Sequence, residues 1–202
     1  MSRAQTFLAL LLLPLLSTVA CQRPATTSDT LVLTGFSLID GTGRPAAPNS
    51  AMTIEAGRIS WVGPAAELKA PAGAASVDLA GKYVMPGLIN LHGHIGNVVG
   101  LVQDPNLYTR QTVEHDLRMY ASYGVTTMLS LGIDKDLIFD VRADQRKGRP
   151  TMTRVYTAGL GLVYKGGFGG GLSLPGVPTP IISSVSEVDA AVAEQAKKGV
   201  DL

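Results

Sequence analysis

The stretch Gly81-Lys82-Tyr83-Val84-Met85-Pro86-Gly87-Leu88-Ile89-Asn90-Leu91-His92-Gly93-His94 marks a change of rhythm in the chain and carries its most specific chemistry. Before it, short β-rich runs are separated by turn residues. After Pro86-Gly87, strand-like runs alternate with helical ones, the pattern of β-α units built on a parallel sheet. Leu88-Ile89-Asn90-Leu91 reads as the first strand of that series. His92 and His94 stand two residues apart at its end, and the two-residue period of a strand sends both imidazoles to one face. In a parallel barrel, side chains at the carboxyl ends of strands line the active-site mouth. Neutral imidazole is a common zinc ligand. An isolated H-x-H pair is a weak signal, since polar histidines at a loop mouth look the same, and its weight depends on context.

Working upstream, residues 30–85 read as a small β-rich domain. Leu31-Val32-Leu33-Thr34 and Phe36-Ser37-Leu38-Ile39 are strand runs that end at the turn Asp40-Gly41-Thr42-Gly43. Ala51-Met52-Thr53-Ile54 and Ile59-Ser60-Trp61-Val62 flank Glu55-Ala56-Gly57-Arg58, a hairpin in which Gly57 is free to take positive φ. Ser76-Val77-Asp78-Leu79 and Lys82-Tyr83-Val84-Met85 surround a turn at Ala80-Gly81. Several of these runs alternate apolar and polar residues, so one packed and one wet face is expected.

Working downstream, residues 86–202 predict a helix over 107–122, a strand over 125–131, a helix over 134–147 and a strand over 155–160. In the first helix Val113, Leu117 and Tyr120 recur at helical spacing and read as core, while Glu114 and Arg118 lie one turn apart and can pair. A third helix spans 186–198, with Ser186 as cap, Val188, Ala191 and Val192 on its buried side, and Gly199 closing it. Val200-Asp201-Leu202 then reads as the start of a fourth strand. The expectation is three β-α units and the edge of a fourth, an incomplete barrel, since the complete fold takes about 250 residues.

The 202 residues are 46% hydrophobic with a formal net charge of +1, which excludes a strongly basic nucleic-acid binder and an acidic disordered tail. Residues 1–20 carry Arg3 followed by an apolar run over 7–16, shorter than the roughly 20 residues needed to span a bilayer. This reads as a secretory signal peptide, with Thr18-Val19-Ala20 as the processing site. The expected location is therefore the periplasm or cell envelope. Cys21 is the only cysteine, so no disulfide forms within the chain. Ser17-Thr18-Val19-Ala20-Cys21 resembles a bacterial lipobox, with Thr18 where that motif usually has leucine. The resemblance implies lipidation at Cys21 and membrane anchoring, and ordinary cleavage after Ala20 gives the same mature start. Residues 21–29, polar and with Pro24, read as a tether.

The Gly81 to His94 run resembles the amidohydrolase superfamily, in which a β-sandwich segment leads through a P-G-[LF]-I-D-x-H-x-H stretch into a (β/α)8 barrel. Gly41-Thr42-Gly43, Gly57-Arg58-Ile59-Ser60-Trp61-Val62-Gly63 and Tyr123-Gly124-Val125-Thr126-Thr127 match further elements of that family, nearest to its imidazolonepropionase-like and prolidase-like branch. The fold this implies is α/β, a β-sandwich-type subdomain followed by the first part of a TIM-type barrel. The resemblance also implies one or two divalent metals, zinc above all, with His92 and His94 as the first two ligands. Water activated on such a site would cleave a C–N bond in a small-molecule amide, cyclic amide or dipeptide. The other ligands of the family, a carboxylated lysine, two histidines and an aspartate, belong to later strands. The rival reading is a catalytically inactive, truncated exported lipoprotein. Asn90 departs from the family, which has aspartate two residues before the first histidine; an amide still accepts a hydrogen bond but tunes an imidazole less strongly.

Two other features attract weaker readings. His115, beside Glu114 on the first helix, reads as a surface histidine. Lys165-Gly166-Gly167-Phe168-Gly169-Gly170-Gly171 lacks the G-K-[ST] ending of a phosphate loop. It leaves the same strand ends as the histidines and reads as a substrate-covering loop.

Overall fold

The computed structural model describes residues 29–148, 150–167 and 180–202. Residues 1–20, read as a signal peptide, Cys21, most of the expected tether and the Phe168 to Gly171 part of the glycine-rich loop lie outside the described residues. The chain divides into two compact units, Met1–Ile39 with Gly43–Val84, and Asp40–Thr42 with Met85–Leu202.

The first unit is built on β1 (Thr30–Leu38), β2 (Ala47–Glu55), β3 (Arg58–Pro64), β4 (Ala75–Asp78) and β5 (Tyr83–Val84). β1 pairs antiparallel with β2 and parallel with both β4 and β5. The two runs expected as separate strands are one strand, kinked where its register with β2 shifts between Leu33 and Phe36. Gly35 sits at that kink with φ +77°, and a Cβ there would lie 2.8 Å from Asp78 Oδ1, so the close approach needs a glycine. The β2–β3 turn is two residues, Ala56 and Gly57, both at positive φ, the handedness that matches strand twist. Among the described residues these strands form one mixed sheet where the family resemblance implied a sandwich. The expected alternation also fails on β2, where Ser50, Ala51, Met52 and Thr53 are all buried. β2 lies inside the sheet between β3 and β1, and a 3-10 turn at Ala65–Glu67 packs against it.

In the second unit, β6 (Leu88–Gly93), β9 (Val125–Ser130) and β10 (Arg154–Thr157) form a parallel sheet with β9 in the middle. Two pairs of short strands accompany it, β7 (Val98–Val99) with β8 (Val102–Gln103) and β11 (Val163–Tyr164) with β12 (Ile181–Ile182). Helices α1 (Arg110–Ser122), α2 (Leu137–Arg146) and α3 (Val185–Lys198) complete it. Val113 and Leu117 of α1, Met128 of β9, Ile138 and Val141 of α2 and Val155 of β10 make one buried apolar cluster. Burying each such side chain is worth about 1.5–3 kcal/mol, so this contact fixes α1 and α2 on the sheet. The Glu114–Arg118 pair forms at 2.7 Å.

Helix starts differ from the sequence expectation for identifiable reasons. α1 begins after Thr109, because Thr109 and Thr112 form a reciprocal capping box that satisfies two otherwise unpaired amides; a separate 3-10 turn covers Pro105–Leu107. α2 begins at Leu137 rather than residue 134 because the Asp134 side chain is taken up by a buried polar cluster. α3 starts one residue early, with Ser184 rather than Ser186 at the cap position, and Gly199 closes it in the left-handed conformation. The expected buried face of α3 is not observed: Val188 is 37% and Val192 51% exposed, since among the described elements α3 packs mainly on the two-residue strand β12. Asp201 does meet β10, its amide donating to Thr157 O at 2.8 Å, although no fourth strand forms over the last residues.

Candidate functional site

β6 ends at Gly93, so His92 is its penultimate residue and His94 follows directly. The rings are 5.3 Å apart between centroids and nearly perpendicular, at 86°. Both residues are exposed. Gly93 between them is buried, and a Cβ there would lie 2.5 Å from Met128 Cε, so the glycine lets β6 lie against the core beneath the pair. The backbone carries on the pairing with β9 beyond the strand, Leu131 N–H donating to Gly93 O at 3.0 Å.

Each histidine is held differently. His94 Nδ1 lies 2.8 Å from Leu131 O. A carbonyl only accepts, so Nδ1 carries the proton and the lone pair of a neutral ring sits on Nε2. His92 is fixed through its backbone, its N–H donating to Asn90 Oδ1 at 3.0 Å. Asn90 thus acts on the main chain rather than on an imidazole, a task its amide oxygen performs as an aspartate would.

Downstream of His94, Gly96 takes φ +84° and its N–H donates to Asp116 Oδ2 at 2.8 Å. Asp116 Oδ1 also lies 3.2 Å from His115 Nδ1. His115 is exposed as expected, and it shares with His94, Val98, Val99, Met119 and Tyr120 the lining of a cleft of about 450 Å³.

The feature that sequence reasoning missed lies beneath. Asp134, 1% exposed, accepts from Ser130 Oγ at 2.7 Å and Tyr108 Oη at 3.1 Å on Oδ1, and from Thr157 Oγ1 at 2.5 Å on Oδ2. Thr157 Oγ1 in turn accepts from Gly159 N–H at 2.9 Å. Burial pushes the Asp134 carboxyl above its ordinary value, against the lowering effect of the three hydroxyls and of His94. The Tyr108 phenol is pushed up by burial and by Asp134, which keeps it a neutral donor. Ser130 ends β9 and Thr157 ends β10, so the strand-end logic that singles out the histidines would have found both hydroxyls.

The donor set suits a metal in part. Two imidazoles at one strand end, one with its tautomer fixed by a carbonyl, are what zinc ligation requires of a first pair. Among the described residues no group of three or more histidine, cysteine or acidic side chains converges, and Asp134 has both oxygens engaged.

Fold and site thus define a mixed α/β protein with a histidine pair at the carboxyl end of a parallel strand. No protein-family model matches the chain. It is 56% identical over 46 residues to an imidazolonepropionase of Paracoccus denitrificans, 22% of this chain and 12% of that protein. It is 31% identical over 153 residues to a 5-methylthioadenosine/S-adenosylhomocysteine deaminase of Symbiobacterium thermophilum, 68% of this chain and 35% of the relative. Among solved structures, one described as a prolidase from Bifidobacterium longum matches at 27% identity and TM-score 0.67, covering 87% of this chain and 40% of that one. A Xaa-Pro dipeptidase with bound methionine matches in fold at 20% identity and TM-score 0.70, over 85% of this chain and 45% of that one. The chain spans less than half the length of each of these proteins. Over that portion, the chain belongs to the amidohydrolase superfamily.

Proposed function

We propose that the protein is a metal-dependent hydrolase of C–N bonds in small amides, cyclic amides or dipeptides, with His92 and His94 as two of its metal ligands. In this reading the parallel strand–helix units are the first part of a (β/α)8 barrel. The observation that carries it is the His94 Nδ1–H bond to Leu131 O, which leaves Nε2 with a free lone pair beside His92 at a parallel strand end. A divalent ion held there, zinc by preference, would acidify a bound water toward a pKa of about 7 and polarise the scissile carbonyl. The chain's own residues hold the ligands in place: Asn90 fixes the His92 backbone, Leu131 O orients His94, and Asp116 secures the segment beyond it through Gly96. The prolidase and dipeptidase among the structural matches favour dipeptides for the first assays. The whole protein, stripped by chelator and reloaded with single metals, is assayed against Xaa-Pro dipeptides and cyclic amides. Turnover that returns with metal and disappears in His94→Gln supports the reading, whereas no turnover with any metal would favour the non-catalytic lipoprotein.

The reading includes export to the cell envelope and lipid attachment at Cys21, supported by the apolar run over 7–16 and the lipobox-like Ser17 to Cys21. Fatty-acid labelling that Cys21→Ser abolishes is the expected result; an unlabelled mature chain that begins at Cys21, as ordinary cleavage after Ala20 would give, contradicts anchoring.

A further inference from the structure

We propose that Asp134 is a positioning residue for His94, fixing the loop after β9 so that the Leu131 carbonyl holds His94 in its Nδ1–H tautomer. Leu131 lies between two anchored points. On one side the Ser130 hydroxyl donates to Asp134 Oδ1, and on the other Asp134 itself is clamped to β10 through Thr157 and to the segment before α1 through Tyr108. Leu131 N–H is taken by Gly93 O, which fixes the Ser130–Leu131 peptide against β6, and the Leu131 carbonyl, in the next peptide, meets His94 Nδ1 at 2.8 Å. The next turn of the loop is tied to the β10 side as well, by Gly161 N–H on Gly132 O at 2.9 Å and by pairing between Ile133 and Leu160. One buried carboxylate therefore gathers the ends of β9 and β10 and sets the carbonyl that orients an exposed imidazole. Second-layer partners of this kind affect metal affinity by about 10–100-fold when altered. The metal role of His94 gives the arrangement its use, but the tautomer is a property of the metal-free chain.

The test is nitrogen NMR of histidine-labelled whole protein without metal, at about pH 9, where ordinary imidazoles are neutral. The sequence has three histidines, and His92→Gln and His115→Gln assign the signals. The native chain is expected to show His94 protonated on Nδ1 alone. Asp134→Asn and Thr157→Val are expected to mix the two tautomers, while Thr157→Ser, which keeps the hydroxyl, restores the native signature. Val141→Ala serves as a control that loosens the core and leaves the tautomer unchanged. Should Asp134→Asn fail to fold, the Thr157 pair carries the same comparison. A native His94 protonated on Nε2, or variants that lose stability with the tautomer unmoved, would overturn the proposal. Zinc added to the native sample separates the two readings: no response at His92 and His94, with the Nδ1–H tautomer in place and sensitive to Thr157→Val, counts against the metal and supports the positioning role.

Discussion

The His92–His94 pair and the Asp134 cluster occupy the same end of the same parallel sheet and are built in opposite ways. The imidazoles are exposed, and the only side-chain bond described for either ring runs from His94 to a backbone carbonyl. Asp134 is buried, and both its oxygens are engaged by hydroxyls from three separate segments. Groups that are to exchange partners during a reaction stay accessible and lightly bonded, whereas the groups that hold their geometry are dry and saturated. Mutation should therefore separate them, with stability residing in the cluster and chemistry in the pair.

The largest effect is expected from Asp134→Ala, which leaves three hydroxyls without their acceptor in a buried space; a loss of about 3–5 kcal/mol in urea unfolding follows. Gly96→Ala should come next. It forces a side chain into φ +84° and places Cβ 2.6 Å from Val113 Cγ2 and 2.9 Å from Tyr108 Cδ2, a cost of about 2–4 kcal/mol by strain and overpacking. If instead Gly96→Ala were neutral, the segment beyond His94 would be loose and the contrast with the cluster would weaken.

A pH series sharpens the comparison at the edge of the same sheet. Burial alone would raise the Asp201 carboxyl, but the Thr157 amide and the guanidinium groups of Arg142 and Arg146 hold it below its ordinary value of 3.8. A lowered folded-state pKa means stability that is present above that ordinary value and lost as pH falls through the lowered one. The stability deficit of Asp201→Asn should therefore be largest near neutral pH and shrink in denaturation curves taken below about pH 4. The smallest effect belongs to the pair itself. His92→Ala removes an exposed ring while keeping the backbone bond to Asn90, and its unfolding free energy should stay within about 0.5 kcal/mol of the native value.

The same contrast explains what could be read from the sequence. Strand and helix order in the second unit was legible because Val113, Leu117 and the apolar run of β9 repeat at periods set by local geometry. The glycines at positions 57 and 199 marked a turn and a helix end for the same reason. His92-Gly93-His94 stood out as a candidate site because the two histidines lie two residues apart at the end of one strand run, and that spacing predicts a shared face. The Asp134 cluster was not, since its members are separated by up to 49 residues between Tyr108 and Thr157 and meet only once the sheet has formed. Helix starts failed where a side chain found a better partner elsewhere, as Asp134 did. The burial of α3 failed because periodicity predicts which face is apolar, not what covers it.

The proposed function turns on whether His92 and His94 hold a metal together. The measurement is the divalent-metal content of the whole protein, purified without chelator and supplied with zinc, beside the His92→Gln/His94→Gln double variant, with the unfolding midpoint of each recorded. Bound zinc is expected in the native protein and lost in the double variant, with zinc raising the midpoint of the native protein alone and the two midpoints coinciding once both are stripped of metal. A native protein that retains none, or a double variant that retains as much, would contradict it.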